Sequence, residues 1–326
     1  MIIDSYNRPH QYLRISLTDN CNLRCFYCMP EEDYEFTPAP QLMTAPEIQA
    51  IAKVFVEEGV NKIRLTGGEP LVRKEAPAII ASLASLPAEL TITTNATRLH
   101  RFADLLQQSG VRSVNISLDT LNENKFEMIT RRNQFSVVKD NIALMLDKSF
   151  RVKVNMVVMR GINDNEINDF VRWTHHTPVE IRFIEFMPFS GNRWSSNKVF
   201  TMGEILDVIG KEFAFEPVQG EKSDTAKKFA VPGHAGNFAV ISTMSAHFCG
   251  SCNRMRLTAD GKLKNCLFSS EETDLLSALR EGRDIRPLIH ACIATKAEKL
   301  GGQLATNFEQ VQPESIHNRS MIAIGG

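Results

Sequence analysis

Short apolar runs rich in β-branched residues alternate with amphipathic stretches along the first half of the chain. The apolar runs predict strands, because β-branched side chains pack well on a pleated sheet. The amphipathic stretches between them predict helices. The predicted strands are Tyr12–Leu17, Lys62–Leu65, Leu90–Thr93, Ser113–Leu118, Val152–Val158 and Glu180–Phe186. Such alternation favours parallel strands that are joined by right-handed crossovers.

The helices of this repeat carry recognisable start and stop signals. Thr44 and Glu47 form a capping-box pattern, and Gly59 follows the apolar face of the helix that they open. Further helices are predicted at Ala76–Leu86, Arg98–Ser109, Ser136–Ser149 and Glu166–His175. Six strand–helix units are too few for a closed eight-stranded barrel. The pattern alone leaves a doubly wound sheet open as an alternative.

The repeat stops after Pro188, and the remaining residues follow a different pattern. This part is predicted to contain a loop, a helix, an exposed charged turn and two amphipathic helices, at Phe189–Lys198, Met202–Phe213, Glu221–Lys228, Asp274–Arg280 and Ile285–Leu300. We therefore predict two parts, a core of residues 1–200 and a C-terminal region of residues 201–326.

Composition excludes several classes of function. The 326 residues are 43% hydrophobic and 23% charged, with a net charge of −1, which gives no electrostatic case for binding nucleic acid or anionic membrane. No apolar run approaches the roughly 20 residues that span a bilayer. The first residues lack a basic segment followed by an apolar run, so we expect no signal peptide and a cytoplasmic location.

Three of the seven cysteines, Cys21, Cys25 and Cys28, lie on the loop after the first predicted strand. We call them the first triplet. Thiolate is the soft ligand that iron–sulfur clusters require. A four-iron cluster held by three cysteines keeps one iron without a protein ligand, and that iron is open to chemistry. The alternatives are a zinc site that lacks one ligand and three unrelated buried cysteines.

A second triplet follows in the C-terminal region, where Cys249, Cys252 and Cys266 have C-x2-C-x13-C spacing. It also has no obvious fourth ligand, so it suggests a second cluster with an open iron. A zinc ribbon that lacks one ligand is the alternative here. The remaining cysteine, Cys292, lies in an apolar segment and is expected to be buried and inert.

Unusual residues gather at the ends of the predicted strands. Ligands of parallel sheets sit at the carboxyl ends of the strands. The segment Thr66–Pro70 follows the second strand, Thr93–Asn95 closes the third, and Ser117 and Asp119 close the fourth, while Met187 ends the sixth. Gly67 and Gly68 would let the backbone approach a ligand with no side chain in the way. These positions predict one functional rim.

Six basic residues are predicted on or beside strands and cysteine loops, and we call them the cation group: Arg14, Arg64, Lys153, Arg182, Arg254 and Arg256. The planar fork of arginine suits phosphate oxygens, and a triphosphate needs several fixed cations. Arg254 and Arg256 are two residues apart on an extended segment, so they would point to the same side. A surface salt bridge is the ordinary interpretation of a single arginine.

The stretch Thr18–Cys28, with Tyr27 before its third cysteine, resembles the signature of the radical S-adenosylmethionine (SAM) enzymes. Both triplets, the Arg254-x-Arg256 pair, the segment Arg182–Glu185 and the terminal Gly325-Gly326 together resemble the GTP 3′,8-cyclase family of molybdenum cofactor biosynthesis. This resemblance runs from about Arg14 to the last residue. Ala96 departs from it, since the family has glycine there.

The resemblance implies an α/β fold, an open partial TIM-type (β/α)6 barrel with a C-terminal appendage that carries a second iron–sulfur cluster. It implies two [4Fe–4S] clusters, held by the first and second triplets, and SAM as cofactor. The residues that it places against SAM are Tyr27, Gly67, Gly68, Glu69, Ser117 and Met187. Without the resemblance, Met187 would be interpreted as a core residue.

The resemblance also implies the reaction. Reductive cleavage of SAM gives a 5′-deoxyadenosyl radical that takes the ribose 3′ hydrogen of GTP, and the substrate radical closes onto C8 of guanine. The implied GTP contacts are Arg14, Arg64, Thr93, Lys153, Arg182, Arg254, Met255 and Arg256, with the guanine edge at the second cluster. The first triplet, Arg254, Arg256, Gly325 and Gly326 are the implied catalytic residues.

Partners follow from the same resemblance. It implies an electron donor and a functional link to a downstream cyclic pyranopterin monophosphate synthase, and it allows a homodimer. The rival enzyme is another radical SAM enzyme with an auxiliary cluster, for example one that modifies a peptide. The rival without catalysis is an iron–sulfur or zinc sensor.

The chain ends in Met321–Gly326, which we call the tail. Its apolar run is consistent with a docked final strand whose glycines are incidental. The competing hypothesis is that Met321–Ile324 anchors the tail while Gly325 and Gly326 thread towards the functional rim.

Overall fold

A computed structural model describes residues 1–29, 34–221, 223–304 and 307–325 of the chain. These residues form one twelve-stranded sheet with the order β12-β11-β10-β1-β2-β3-β4-β5-β6-β9-β8-β7. The strands are β1 Tyr12–Ser16, β2 Lys62–Thr66, β3 Glu89–Thr94, β4 Ser113–Ser117, β5 Arg151–Val158, β6 Glu180–Glu185, β7 Glu216–Val218, β8 Lys227–Ala230, β9 Asn237–Ile241, β10 Arg254–Leu257, β11 Lys262–Lys264 and β12 Thr273–Asp274.

The helices that connect β1–β6 cover one side of the sheet, and the described residues contain ten α-helices in all. They are α1 Ala45–Glu57, α2 Ala76–Ala84, α3 Ala103–Gln108, α4 Glu123–Thr130, α5 Phe135–Asp147, α6 Ile167–Trp173, α7 Met202–Gly210, α8 Leu275–Arg280, α9 Arg286–Ala294 and α10 Met321–Ile324. Thr44 caps α1 with the predicted capping box. Within the described ranges, no helix is long and apolar enough to cross a membrane.

The six predicted strands are confirmed as β1–β6, with bounds that differ by at most a residue or two at each end. They pair in parallel in sequence order. The end strands β7 and β12 do not pair with each other in the described chain, so the sheet is open, as a partial barrel requires.

The C-terminal region extends the same sheet at both edges, which the sequence did not predict. Strand β10 pairs in parallel with β1, and β9 pairs in parallel with β6. The antiparallel strands β11 and β12 continue beyond β10, while β8 and β7 continue beyond β9. The C-terminal region therefore contacts both ends of the six-stranded core. The boundary at residue 200 stays a prediction.

Helix predictions fail where the local pattern is weak. Helix α4 was not predicted because its exposed face is polar, although Asn122 caps it by accepting a hydrogen bond from Lys125 N. The predicted helix Arg98–Ser109 divides into a 3-10 turn and α3 at Phe102. The predicted helix Ile285–Leu300 ends at Ala294. The predicted turn Glu221–Lys228 runs into β8 at Lys227, and its Lys222 lies outside the described residues.

The two faces of β1–β6 have different chemistry. Residues such as Leu13, Ile15, Val114 and Ile116 are fully buried in the main core against the helices. Their sequence neighbours point to the opposite face because side chains alternate along a strand. That opposite face is polar, and it forms the wall of a large cavity.

Candidate active site

A cavity of about 750 Å³ is lined by the polar face of β1–β6 and by the loops that follow these strands. All six cysteines of the two triplets line it: Cys21, Cys25, Cys28, Cys249, Cys252 and Cys266. The fold thus brings two distant parts of the sequence to one site. It does so because β10, which directly follows Cys252, pairs with β1, which directly precedes the first triplet.

Most residues of the predicted site line this cavity. Those outside the triplets are Arg14, Tyr27, Arg64, Gly67, Gly68, Thr93, Ser117, Lys153, Arg182, Met187, Arg254 and Arg256. Glu69, Met255 and Gly325 do not line it. Gly326 lies outside the described residues.

The side chain of Met255 does not line the cavity, so a contact with the substrate, which stays a prediction, would have to come from its backbone. Met255 lies between Arg254 and Arg256 on β10, so its side chain points to the other face of the sheet. There it is fully buried in the main core, in register with Leu13 of β1. The alternation that brings the two arginines to the cavity removes the methionine from it.

Two backbone hydrogen bonds fasten the loop of the first triplet to the end of β2. Gly68 N donates to Thr18 O at 2.7 Å, and Glu69 N donates to Asn20 O at 2.8 Å. On the other side of the loop, Arg24 N donates to Thr130 O at 2.9 Å, at the end of α4. The loop is therefore held from two directions, so its position is set by the sheet.

The glycine pair has a packing role that the sequence did not predict. A Cβ on Gly67 would lie 2.3 Å from Thr18 O, and one on Gly68 would lie 2.5 Å from Asn20 O. Gly67 also has a φ of +142°, which L residues rarely adopt. The glycines are needed because the cysteine loop packs directly on their backbone. Both glycines also line the cavity, and contact between their backbone and a ligand stays a prediction.

Glu69 is buried behind the cavity wall, and its predicted contact with the cofactor stays a prediction. One carboxylate oxygen accepts from Thr94 Oγ1 at 2.8 Å, and the other accepts from Asn95 N at 2.6 Å. Burial raises the pKa of Glu69 to about 7. Asn95 in turn points Nδ2 at Cys21 Sγ, 3.7 Å away. Glu69 thus acts on the first triplet through the turn that it holds.

The thiols of the first triplet are poorly ionised in the metal-free protein. Burial, followed by the nearby Glu69 carboxylate, raises the pKa of Cys21 to about 11. Burial and the neighbouring Cys21 raise the pKa of Cys28 to about 12. The pKa of Cys25 is raised well above its ordinary value, chiefly by burial.

Tyr27 is fixed by Asp119, at the end of β4. Its hydroxyl donates to Asp119 Oδ2 at 2.6 Å, and Asp119 Oδ1 accepts from Val157 N at 2.9 Å. Burial raises the pKa of Asp119 to about 6. The tyrosine ring packs edge-on against Phe186. Tyr27 is therefore a fixed part of the wall beside the first triplet.

The second triplet has a cationic neighbour that the sequence did not reveal. Lys296 is almost fully buried, and its Nζ lies 3.6 Å from Cys252 Sγ, 3.1 Å from Arg254 O and 2.8 Å from His10 Nε2. Burial alone would raise the pKa of Cys252, but the Lys296 ammonium and the Arg254 guanidinium lower it to about 7.

Arg8 anchors the backbone of the second triplet. Its guanidinium donates to Cys249 O and to Glu298 O, each at 2.8 Å. Asp4 holds Arg8 through an ion pair of 2.6 Å between almost fully buried side chains. The amino-terminal residues therefore form part of the support of a site at the other end of the chain.

The cation group faces the cavity as predicted, on strands and not on solvated helix faces. Arg14 lies in register with both Arg64 of β2 and Arg256 of β10. The Nε atoms of Arg14 and Arg64 are buried and have no hydrogen-bond partner in the described chain. Burial lowers the pKa of Lys153 to about 8 and that of Arg256 to about 10. Such a group of desolvated cations suits an anionic ligand.

Two details of the charge distribution differ from expectation. Arg182 is paired with Glu180 of the same strand, so it is the most nearly neutralised member of the cation group. Lys62 is a further cation in the cavity wall, 2.9 Å from Glu89 and 5.7 Å from the ring centre of Tyr12. The sequence could have revealed Lys62 as a cavity residue, because it lies two residues before Arg64 on β2 and its side chain therefore points to the same face.

The tail docks at the end of β2. Met321–Ile324 forms the helical turn α10 rather than a strand, with Ile322 and Ile324 buried. Arg256 Nη1 donates a hydrogen bond to Gly325 O. Gly325 has a φ of +78°, and a Cβ there would lie 2.6 Å from Thr66 Cγ2. The docked-strand interpretation is therefore wrong, and Gly325 lies beside Thr66 at the end of β2.

Sequence analysis missed two asparagines of the cavity wall, Asn115 and Asn155. Each carries at least one buried amide atom with no hydrogen-bond partner in the described chain. The polar alternation Ser113, Asn115, Ser117 along a predicted strand could have revealed the first of them.

The two triplets fit iron–sulfur clusters by the chemistry of their donors. All six cysteines carry free thiols, and thiolates are the ligands that these clusters take. Cys292, in contrast, is buried in the main core and donates to Leu263 O, which confirms that it is buried, while its inertness stays a prediction.

Comparison with known proteins adds independent evidence. Residues 15–174 match the Radical SAM superfamily, and residues 179–301 match the family Molybdenum Cofactor Synthesis C. The chain is 47% identical to the Mus musculus protein "Molybdenum cofactor biosynthesis protein 1" over 99% of its length, but it spans only 51% of that protein. It therefore spans about half the length of such relatives.

Two relatives are covered more fully. The Arabidopsis thaliana protein "GTP 3′,8-cyclase, mitochondrial" is 46% identical over 100% of this chain and 84% of its own length. The Listeria monocytogenes protein "GTP 3′,8-cyclase" is 38% identical over 100% of this chain and 99% of its own length.

Solved structures support the fold. The structure of Streptococcus suis SuiB bound to S-adenosylmethionine has a TM-score of 0.58 at 14% identity, over 97% of this chain and 74% of that one. SuiB bound to its precursor peptide SuiA has a TM-score of 0.61 at 16% identity, over 89% of this chain and 68% of that one. At these identities the likeness shows a shared fold.

Proposed function

The chain belongs to the radical SAM superfamily and, within it, to the GTP 3′,8-cyclase family, and from this premise we propose that it converts GTP to 3′,8-cyclo-7,8-dihydro-GTP. This conversion is an early step of molybdenum cofactor biosynthesis. The observation that carries the proposal is the single cavity that both cysteine triplets and the cation group line.

Membership of the superfamily implies one [4Fe–4S] cluster and SAM. When bound, they supply a carbon radical that can take hydrogen from a substrate C–H bond. In the proposed arrangement, Cys21, Cys25 and Cys28 hold this cluster. Tyr27, Ser117 and Met187 line the space for SAM, and the backbone of Gly67 and Gly68 closes it. Glu69 positions this wall through Asn95.

The second triplet is proposed to hold a second [4Fe–4S] cluster whose open iron faces the guanine edge. Its support differs from that of the first, since Lys296 and Arg8 bring fixed positive charge to Cys252 and to Cys249 O. Fixed cations next to thiolate ligands stabilise the negative charge of such a site.

The cation group is proposed to bind the triphosphate. Desolvated guanidinium groups with unpartnered N–H donors gain more from a phosphate than exposed ones do. Arg14 and Arg64 fit this description best, because their Nε atoms are buried and unpartnered within the described residues. Thr93, whose Oγ1 is likewise unpartnered, is proposed as a neutral donor beside them. Arg254 and Arg256 would link the triphosphate to the second triplet and to the tail.

Electron balance defines the partners. Each turnover consumes one SAM, two electrons and one proton, and it yields methionine, 5′-deoxyadenosine and an isomer of GTP. The proposal therefore requires an external one-electron donor and a downstream cyclic pyranopterin monophosphate synthase that consumes the product. A homodimer, a cytoplasmic location and the division at residue 200 stay predictions.

Anaerobic reconstitution with iron and sulfide, followed by incubation with SAM, GTP and dithionite, tests the function. We expect 5′-deoxyadenosine together with the cyclised nucleotide. Cys292→Ser is the matched control, and it should keep iron and activity, because Cys292 does not line the cavity. Cleavage of SAM that depends on a peptide and not on GTP would favour the rival enzyme. Bound metal without any SAM cleavage would favour a sensor.

A further inference from the structure

Asn115 is a buried amide that has no role in the protein itself. It lies on β4 with its side chain in the cavity wall, and it is 1% exposed. Neither its Nδ2 nor its Oδ1 has a hydrogen-bond partner in the described ranges of the chain. Buried polar groups of folded proteins are normally paired, so an amide with both ends free indicates a ligand that supplies the missing partners.

The neighbours of Asn115 locate that ligand within the cavity. Asn115 is in register with Thr93 of β3 and with Lys153 of β5. Ser117, two residues further along β4, points to the same face and is in register with Asn155. Asn115 thus lies between a residue proposed to touch SAM and a cation proposed to touch the triphosphate.

The chemistry of an amide narrows the choice of ligand group. Nδ2 donates and Oδ1 accepts, so the pair is complementary to a group that both donates and accepts. Phosphate and carboxylate oxygens only accept, and they would leave Oδ1 unpaired. A ribose diol can satisfy both ends. The guanine edge is proposed to lie at the second triplet, next to β10, and the sheet order places β1, β2 and β3 between β10 and β4.

We propose that Asn115 binds the ribose hydroxyls of GTP. The inference rests on the proposed function. It makes Asn115 a binding residue for the part of the substrate that loses hydrogen, since the amide orients the sugar relative to the cofactor side of the cavity. Thr93 and Asn155, whose Oγ1 and Oδ1 are also unpartnered within the described chain, border the same position.

Binding measurements test the proposal without turnover. Dissociation constants of GTP, 2′-deoxy-GTP and 3′-deoxy-GTP would be measured by equilibrium dialysis on the cluster-loaded, SAM-free wild type and Asn115→Ala. We expect the wild type to bind GTP about 10- to 100-fold more tightly than at least one deoxy analogue, as loss of buried hydrogen bonds predicts. Asn115→Ala should bind GTP more weakly than the wild type does, by a similar factor. It should bind GTP and the two deoxy analogues with equal affinity.

A matched control is Asn237→Ala, since Asn237 also lies on a strand with an unpartnered Oδ1 in the described chain but does not line the cavity. This variant should keep the wild-type discrimination. Thermal unfolding of the metal-free protein adds a readout that separates binding from a structural role. Asn115→Ala should be no less stable than wild type, because its amide pairs with nothing there. If it fails to fold, Asn115→Thr serves for the same comparison.

Three results would overturn the proposal. One is a wild type that binds all three nucleotides equally, and another is an Asn115→Ala variant with the wild-type ratio of affinities. The third is a loss of SAM affinity with unchanged GTP affinity, which would assign Asn115 to the sugar of the cofactor. A wild type that binds no GTP would overturn the proposed function together with this inference.

Discussion

The two cysteine triplets offer the same three ligands in opposite electrostatic surroundings. Around the first, burial and the carboxylates of Glu69 and Asp119 raise the pKa of the thiols, to about 11 for Cys21. Around the second, the Lys296 ammonium and the Arg254 guanidinium overcome burial and lower the pKa of Cys252 to about 7, while burial raises the pKa of Cys249. One cavity therefore has an anionic end and a cationic end.

The difference in surrounding charge suits the two triplets to different tasks. The reduction potential of an iron–sulfur cluster depends on the charge around it, so anionic neighbours favour its giving up an electron. This suits the first triplet to a site that reduces its cofactor. Cationic neighbours suit the second triplet to a site next to a triphosphate. Arg254 lies two residues from Cys252, and it serves both the thiolate and the proposed substrate site.

Removing each triplet in turn is the strongest way to break the comparison. Changing Cys21, Cys25 and Cys28 together to alanine should abolish SAM cleavage and halve the iron content from about eight atoms per chain. Changing Cys249, Cys252 and Cys266 should also halve the iron, but SAM cleavage should survive while the cyclised nucleotide disappears. Iron analysis and chromatography of the products measure both effects. Zinc as the only bound metal in wild type would contradict the assignment.

Deleting Gly325 and Gly326 should separate SAM cleavage at the first triplet from cyclisation of the substrate. Arg256 donates to Gly325 O, so the tail touches the cationic end while it packs on Thr66 of β2. We expect intact clusters and SAM cleavage but no cyclised nucleotide. Gly325→Ala should resemble the deletion because of its clash with Thr66. Gly282→Ala is the control, because Gly282 also has a positive φ but a Cβ there would meet no other atom within 4 Å. Wild-type yields of both products after the deletion would make the tail only structural.

Arg254→Ala and Arg256→Ala test the cationic end as a substrate site. Charge-assisted contacts are typically worth ~1.5–3 kcal/mol, so each variant should bind GTP roughly 10- to 150-fold more weakly. Iron content should not change. Arg172→Ala, which removes an exposed ion pair on α6, is the control. Equilibrium dialysis measures the affinity, and an unchanged value in the Arg254→Ala, Arg256→Ala double variant would place the phosphates elsewhere.

Lys296→Met should remove much of the difference between the thiol pKa values of Cys252 and Cys21. In the metal-free wild type, Cys252 should be alkylated first as the pH rises through about 7, well before Cys21, whose pKa is about 11. A return of the Cys252 pKa towards its ordinary value of 9.0 would leave up to about 50-fold less thiolate at pH 7. Mass spectrometry of the labelled peptides gives the rates. Lys299→Met, on an exposed neighbour, should change nothing.

In the metal-free protein, the pKa shifts of Cys252 and Cys21 make the stability depend on pH in opposite directions. The lowered pKa of Cys252 contributes stability that is full above pH 9 and is lost as the pH falls through about 7. The raised pKa of Cys21 contributes stability that is full below pH 9 and is lost as the pH rises through about 11. Unfolding of wild type and Lys296→Met at several pH values would separate the contribution of Cys252. An identical pH dependence would contradict the role of Lys296.

Ala96→Gly is expected to have the smallest effect, a gain in stability at the first triplet. Ala96 is buried with a φ of +65°, a left-handed conformation that costs a residue with a Cβ about 1 kcal/mol. Glycine at this position should raise the free energy of unfolding by about that amount. Ala78→Gly, on the exposed face of α2, is the control and should have the opposite sign. A loss of stability in Ala96→Gly would contradict this account.

The sequence predicted the parts of the molecule that have strong local patterns. Strands β1–β6 were found because each is an apolar run between helices, and the triplets were found because cysteine spacing is local. Strands β9 and β10 were missed because they join the sheet edges without the helical crossover pattern. Lys296 was missed because its contact with Cys252 joins residues 44 positions apart, and a single lysine carries no pattern.

The role of the glycine pair could not be predicted for a similar reason. Gly67 and Gly68 do end a strand, as the sequence indicated, but the atoms that exclude a side chain belong to Thr18 and Asn20. Only the fold shows that another loop packs there. The burial of the Glu69 and Met255 side chains outside the cavity lining could not be predicted, because a motif names a residue without the direction of its side chain.

Measuring hydrogen transfer from GTP to the cofactor is the most direct test of whether the ends of the cavity at the first and second triplets act on one GTP molecule. The reconstituted protein would be incubated with SAM, dithionite and GTP deuterated at C3′, and the 5′-deoxyadenosine would be analysed by mass spectrometry. The account predicts that the 5′-deoxyadenosine carries one deuterium from the substrate. Unlabelled 5′-deoxyadenosine, formed while GTP is consumed, would contradict it.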